Sequence, residues 1–157
     1  MRIIVFSDSH GNYSALHKIM KNNVNADYYI FLGDGLDEFE IIRQIYPDKR
    51  FFYVSGNCDH GDTPSADLIE IFNTKIFITH GHRYNVRSGL DELLKKAREL
   101  GAMMVLYGHT HCRYYEYIKG IYVLNPGSAS QPKDGQPASY AFIDITPCGI
   151  MCAHVDL

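Results

Sequence analysis

Short apolar runs separated by polar turns recur along this chain, and five of them end beside a side chain that can bind a metal. Ile3–Phe6 leads into Ser7-Asp8-Ser9-His10, Tyr28–Leu32 into Gly33-Asp34, and Phe51–Val54 into Gly56-Asn57-Cys58-Asp59. Ile76–Thr79 leads into His80-Gly81-His82, and Met103–Tyr107 into Gly108-His109-Thr110-His111. Short apolar runs bounded by turn residues predict buried strands. Between them the apolar spacing changes to the helical period. Leu16, Ile19 and Met20 share one face of a helix that Asn12 is placed to cap, and Phe39, Ile42 and Ile45 mark a second helix ending before Pro47. Val86, Leu90, Leu93, Leu94, Ala97 and Leu100 form the stripe of a third, with Gly101 as its stop.

Hairpins dominate the rest. Leu68–Phe72 and Lys75–Thr79 predict strands joined at Asn73-Thr74. Tyr114–Ile118 and Ile121–Leu124 flank Lys119-Gly120, and Tyr140–Thr146 and Ile150–Val155 flank Pro147-Cys148-Gly149. Asn125–Ala138 holds three Pro and two Gly and predicts a loop. Alternating strand–helix units followed by hairpins predict an α/β fold, a two-sheet αββα sandwich of mixed sheets flanked by helices. At 157 residues, the length fits one domain over 1–157. Such a domain buries roughly 70% of the surface its unfolded chain exposes, enough for a substantial core.

Charge narrows the partners. With 15 basic and 18 acidic residues the net charge is -3, which offers no basic field for nucleic acid and no polybasic patch for a membrane. No apolar stretch approaches the roughly 20 residues of a membrane span, and the apolar start is too short for a secretion signal. A cytoplasmic, soluble protein is expected. Cys58, Cys112, Cys148 and Cys152 lack the paired spacing of a zinc ribbon, so buried free thiols are expected, although Cys148 and Cys152 could meet in the last hairpin.

In open α/β sheets, ligands gather beyond the carboxyl ends of the strands. The order of the chain therefore lines Asp8, His10, Asp34, Asn57, His80, His109 and His111 along one rim. Asp8 and His10 are two apart, as are His109 and His111, and in extended backbone such pairs point to one side. Each pair alone is a weak signal; all five blocks together are a strong one.

The blocks Asp8-x-His10, Gly33-Asp34, Gly56-Asn57-x-Asp59, His80-Gly81-His82 and Gly108-His109-x-His111, in this order, resemble the calcineurin-like metallophosphoesterases. Gly56-Asn57-Cys58-Asp59, with Asn125-Pro126-Gly127-Ser128 and Pro137-Ala138-Ser139-Tyr140, is similar more narrowly to the small YfcE-type phosphodiesterases. The resemblance runs from Arg2 to about Asp144. It implies a first cation held by Asp8, His10, Asp34 and His111, and a second held by Asp34, Asn57, His80 and His109. It also implies catalytic roles for Asn57, Cys58, Asp59 and His109. The expected cofactors are two divalent ions, Mn²⁺ most often in the family, with Ni²⁺, Zn²⁺, Fe and Mg²⁺ as alternatives; oxygen and imidazole donors suit such ions. Two such ions carry +4 and Asp8 and Asp34 return -2, leaving a site near +2 that favours an anionic substrate. In two-metal sites the ions sit roughly 3.5–4 Å apart and bound water has a pKa near 7, so a metal-bound hydroxide attacking phosphorus in line is the expected chemistry.

The expected substrate is a small phosphodiester, with a phosphomonoester or nucleotide on the same site as the alternative. A non-catalytic scaffold like the small retromer subunit, which shares the fold, is a further alternative, and a homo-oligomer is what the family suggests. Cys58 departs from the wider family, where a histidine at this place contacts substrate and serves the leaving group. A thiol has a pKa near 8.5 and donates hydrogen bonds poorly, so turnover should fall steeply as leaving-group pKa rises. Asp59 would orient its neighbours. Outside these blocks, His17 reads as a helix-surface residue, His154 as structural and His60 as a loop residue. His82 reads equally as a hydrogen-bonding support to a ligand or as a turn residue. Arg83 and Arg87 read as solvated charges, and Asn125–Ser128 as a tight turn or as a source of amides near the metals.

Overall fold

Each central strand alternates between two apolar environments, and this alternation builds the fold. In the computed structural model, which describes residues 1–157, strand β1 (Arg2–Phe6) sends Ile3 and Val5 to one side and Ile4 and Phe6 to the other. All four are fully buried, because both faces of the strand are covered. The same alternation holds for β2 (Tyr28–Phe31), where Tyr28 alone is half-buried, and for the fully buried β6 (Met104–Leu106).

The remaining strands are β3 (Phe51–Tyr53), β4 (Ala66–Ile71), β5 (Thr74–Thr79), β7 (Arg113–Ile118), β8 (Ile121–Pro126), β9 (Ser139–Thr146) and β10 (Gly149–Asp156). One sheet has the order β10-β9-β1-β2-β3 and the other β4-β5-β6-β8-β7. In the first, β1, β2 and β3 run parallel and β9 lies antiparallel between β1 and β10; in the second, β5, β6 and β8 run parallel between antiparallel edges. The sheets pack face to face over Ile3, Val5, Ile30, Ile78, Met104 and Leu106. Helices α1 (Tyr13–Asn22) and α2 (Leu36–Ile45) cover the outside of the first sheet, and α3 (Asp91–Glu99) covers the second. This is the αββα sandwich expected from the apolar pattern.

Local chemistry sets the boundaries. Asn12 accepts the Ala15 amide at 3.1 Å and starts α1. Gly101, at φ 65°, stops α3 in a Schellman turn, with its own amide bonded to the Arg98 carbonyl and the Ala102 amide to Ala97. The start of α3 differs from the expected one. Asn85 is left-handed and Gly89 has φ 156°, so the helix begins at Asp91 and Val86 is buried in the preceding loop. The β4–β5 turn is centred one residue earlier than expected, on Phe72 and Asn73, both left-handed as a two-residue hairpin of this kind demands. All four cysteines are free, but Cys58 and Cys148 are exposed and Cys112 and Cys152 half-buried, so the expectation of buried thiols is corrected. No helix is long and apolar enough to cross a membrane.

Candidate metal centre

The parallel strands of both sheets end at one rim, and the two sheets meet there. Beyond β1 and β2 the ladder continues without regular strand geometry: the Asp8 amide bonds the Gly33 carbonyl and the His10 amide bonds the Asp34 carbonyl, each at 3.0 Å. From the other sheet, the His109 amide donates to Asp8 Oδ2 at 3.1 Å. Glycines permit this approach. A side chain at Gly108 would run into Ser7 Oγ and Asp8 Oδ2, and one at Gly56 into the Asp34 carboxylate.

The side chains converge for a different reason from the strand alternation expected of the sequence. Asp8, His10, Asp34, His109 and His111 all have positive φ, between 44° and 67°. They are not extended, so alternation along a strand does not aim them. Each sits in a left-handed turn beyond a strand end. Such a residue costs about 1–3 kcal/mol unless its surroundings hold it, and such residues concentrate at functional sites. Four other non-glycine residues share the region, Phe72, Asn73, Asn85 and Lys119.

The turns bring seven side chains to one place. Donor atoms of Asp8, His10, Asp34 and His111 lie within 4.8 Å of one another, as do those of Asp34, His80 and His109. Asp34 belongs to both groups. Asn57 Oδ1 lies 3.2 Å from His80 Nε2 and so joins the second. Asp8, Asp34, His80 and His111 are buried.

Two of the rings are fixed so that they present lone pairs to the cluster. His80 Nδ1 donates to the Leu32 carbonyl at 2.7 Å and His111 Nδ1 to the Gln131 carbonyl at 2.8 Å. With that hydrogen on Nδ1, the neutral ring carries a lone pair on Nε2. The His111 Nε2 lone pair points at Asp8 Oδ1 (3.2 Å) and His10 Nε2 (3.1 Å). His80 Nε2 faces Asp34 Oδ2 (3.4 Å) and His109 Nδ1 (3.2 Å). Asp8 Oδ1 is buried and accepts no hydrogen bond. Two buried carboxylates and the Nε2 lone pairs of His80 and His111, with Asp8 Oδ1 left unpartnered, make a lining that positive charge among them would stabilise. A divalent cation with oxygen and nitrogen ligands fits that demand.

Titration behaviour has the same origin. Burial pushes the Asp34 carboxyl up, but His80 and the Cys58 amide outweigh it and hold that carboxyl well below the usual range. Burial likewise works against charge on His80, yet the Asp34 and Asp8 carboxylates raise its pKa. Burial, with His80 and Arg87 nearby, lowers His109 to about 4, so its ring is neutral at physiological pH. Burial and the carboxylate of Asp34 push the Cys58 thiol up, which keeps it protonated.

Asp59 and Asn125–Ser128 were singled out in the sequence, but the contacts they make were not legible there. Asp59 accepts four backbone amides: Asp34 and Gly56 on Oδ2, each at 2.7 Å, and Gly35 and Leu36 on Oδ1 at 2.8 and 2.9 Å. It thus caps α2 from outside the helix, because the N-cap residue Gly35 has no side chain to do so. Asn125 donates to the Gly108 carbonyl (2.9 Å) and Thr110 Oγ1 (3.0 Å), and Ser128 donates to the Asp8 carbonyl (2.7 Å). The Asn125–Ser128 segment therefore pins the ligand loops through its side chains. Glu38 carries no signal in the sequence, because an acidic residue in the first turn of a helix is ordinary. His154 donates to the Asn125 carbonyl at 2.7 Å, His17 stacks on Tyr13, and His82 sits in a 3₁₀ turn with its buried Nδ1 unpaired. His60 lines the cleft mouth with His10, Asp37, Glu38 and Cys58.

Comparison with known proteins agrees with this geometry. The family model described as the calcineurin-like phosphoesterase superfamily domain matches residues 1–147. The probable metallophosphoesterase YsnB of Bacillus subtilis is 32% identical over 147 residues, covering 92% of this chain and 85% of that protein. The phosphodiesterase YfcE of Escherichia coli K12 is 27% identical over 170 residues, covering 92% and 88%. Among solved structures, Entamoeba histolytica Vps29 complexed with Zn²⁺ shares the fold, with a TM-score of 0.76 and 23% identity, covering 99% of each chain.

Proposed function

The chain belongs to the calcineurin-like phosphoesterase superfamily, and we propose that within it the protein is a phosphodiesterase that works with two divalent cations. The observation that carries this reading is the pair of carboxylate and imidazole clusters joined at Asp34. Asp8, His10, Asp34 and His111 would hold one cation, and Asp34, Asn57, His80 and His109 the other. Bound there, divalent cations supply Lewis-acid stabilisation of phosphoryl oxygens and lower the pKa of water. From the family's usage, Mn²⁺ is the working choice.

The chain's own residues supply orientation. The carbonyls of Leu32 and Gln131 fix the tautomers of His80 and His111, so both present Nε2 to the site. Neutral His109 presents Nδ1. Asp59 holds the backbone that carries Asp34. Cys58 is exposed beside Asp34, and its thiol is a weak hydrogen-bond donor where the wider family carries a histidine. This supports a preference for leaving groups that need no proton. The open cleft mouth, and the name of the relative YfcE, support a diester over a monoester.

The test is metal analysis of the purified chain together with hydrolysis of bis(p-nitrophenyl) phosphate and p-nitrophenyl phosphate in Mn²⁺. Turnover should be greater on the diester, vanish with chelator and with Asp34→Ala, and fall steeply across a series of leaving groups of rising pKa. Metal bound without turnover on any phosphoester would replace the enzyme by a scaffold, the reading that the Vps29 fold keeps in view.

A further inference from the structure

We infer that Glu38 is a positioning residue that selectively sets the affinity of the first cation cluster by holding His10 in its left-handed turn. The inference rests on the two-cation reading. Glu38 is the third residue of α2 and only 7% exposed. A buried carboxylate needs a strong reason to be there, and no basic side chain pairs with it. Instead its Oε1 accepts Ser9 Oγ at 2.6 Å and the Gly11 amide at 2.7 Å. These two donors flank His10 on both sides, and His10 has φ 44°. The carboxylate thus clamps the tripeptide 9–11 at both ends and leaves the His10 ring free to reach the cluster.

Three further observations fit a clamp. Gly35 leaves the space in which Ser9 Oγ and Glu38 meet; a side chain there would strike both. The first turn of α2 places the carboxylate at the positive end of the helix, which offsets part of the cost of its burial. Of the seven candidate ligands, His10 alone is flanked by these contacts, and it belongs only to the cluster with Asp8, Asp34 and His111. The second cluster has a support of its own in the Leu32 carbonyl behind His80, while Asp59 holds Asp34, which both clusters share.

The experiment strips the full-length chain with chelator and titrates it with Mn²⁺ by calorimetry. The unaltered chain should show two binding events. Glu38→Ala should weaken one of them by about tenfold or more, the scale seen when a partner behind a ligand is lost, and leave the other unchanged. Glu38→Gln keeps an acceptor oxygen for both donors and should restore the affinity. Should Glu38→Ala not fold, Ser9→Ala removes one of the two contacts and must weaken the same event. Selective loss with rescue by glutamine supports the assignment. Loss of both events alike, unchanged binding, or failure of the glutamine variant to restore affinity would overturn it. An unaltered chain that binds no Mn²⁺ overturns it together with the two-cation reading, whereas normal binding of two ions by every variant overturns the clamp alone.

Discussion

Replacing Asp59 tests how much of the site is held up by one carboxylate. Its two oxygens receive the amides of Asp34, Gly35, Leu36 and Gly56 at 2.7–2.9 Å. Hydrogen bonds to a charged group contribute about 1.5–3 kcal/mol each, but four that share one acceptor do not add. Asp59 is half-buried, so water replaces part of what alanine removes. Asp59→Ala should therefore lower stability by about 3–5 kcal/mol. Asp59→Asn keeps one oxygen for one pair of amides and turns an NH₂ toward the other pair, so about half that loss is expected. For a chain of this size about 2–4 °C of melting temperature accompanies each kcal/mol, which places the alanine variant roughly 6–20 °C below the parent. Urea unfolding followed by circular dichroism reads the free energy, and Mn²⁺ titration of the same samples reads the site. Because two of the four amides belong to Asp34 and its neighbour Gly35, metal affinity should fall with stability. An alanine variant within about 1 kcal/mol of the parent that binds metal normally would refute the reasoning, since four orphaned amides cannot be that inexpensive.

Two groups that are not candidate ligands give two more expected outcomes. Asn125→Asp turns the NH₂ that serves the Gly108 carbonyl and Thr110 Oγ1 into an oxygen facing that carbonyl. It should cost about 3 kcal/mol or more and loosen the His109 turn, measured as a lower urea midpoint with weakened metal binding; an unchanged midpoint would contradict it. Burial pushes the Cys152 thiol up to about 11 from an ordinary value of 9.0, although a hydrogen bond with Tyr115 works the other way. The unfolded thiol then ionises first, so the native state loses stability as pH rises from about 9 through about 11, and none of that loss appears below this window. Iodoacetamide at pH 8 with mass spectrometry should label exposed Cys148 well before Cys152; equal rates would sink the assignment.

Much of this protein was legible in the chain because burial on both faces leaves a local signature. Strands β1, β2 and β6 are apolar at consecutive positions, and that pattern alone announces covered sheets. The convergence of the five candidate-ligand blocks was legible for a related reason: each comes directly after such a run, and parallel strands deliver the residues beyond their ends to one rim. The means of convergence was not legible. Left-handed backbone at Asp8, His10, Asp34, His109 and His111 has only a weak compositional mark: aspartate and histidine are enriched there among non-glycine residues, but most copies of either are not left-handed, and distant groups decide which ones are. Those groups lie far along the chain from the backbone they fasten: Asp59 is 25 residues from Asp34, Asn125 is 17 from Gly108, and Ser128 is 120 from Asp8. Hydrophobic periodicity is written in neighbouring residues and can be read one run at a time. A hydrogen bond between distant loops exists only once the sheets have packed, so tertiary structure alone decided which polar residues became the ligands' supports and which remained surface.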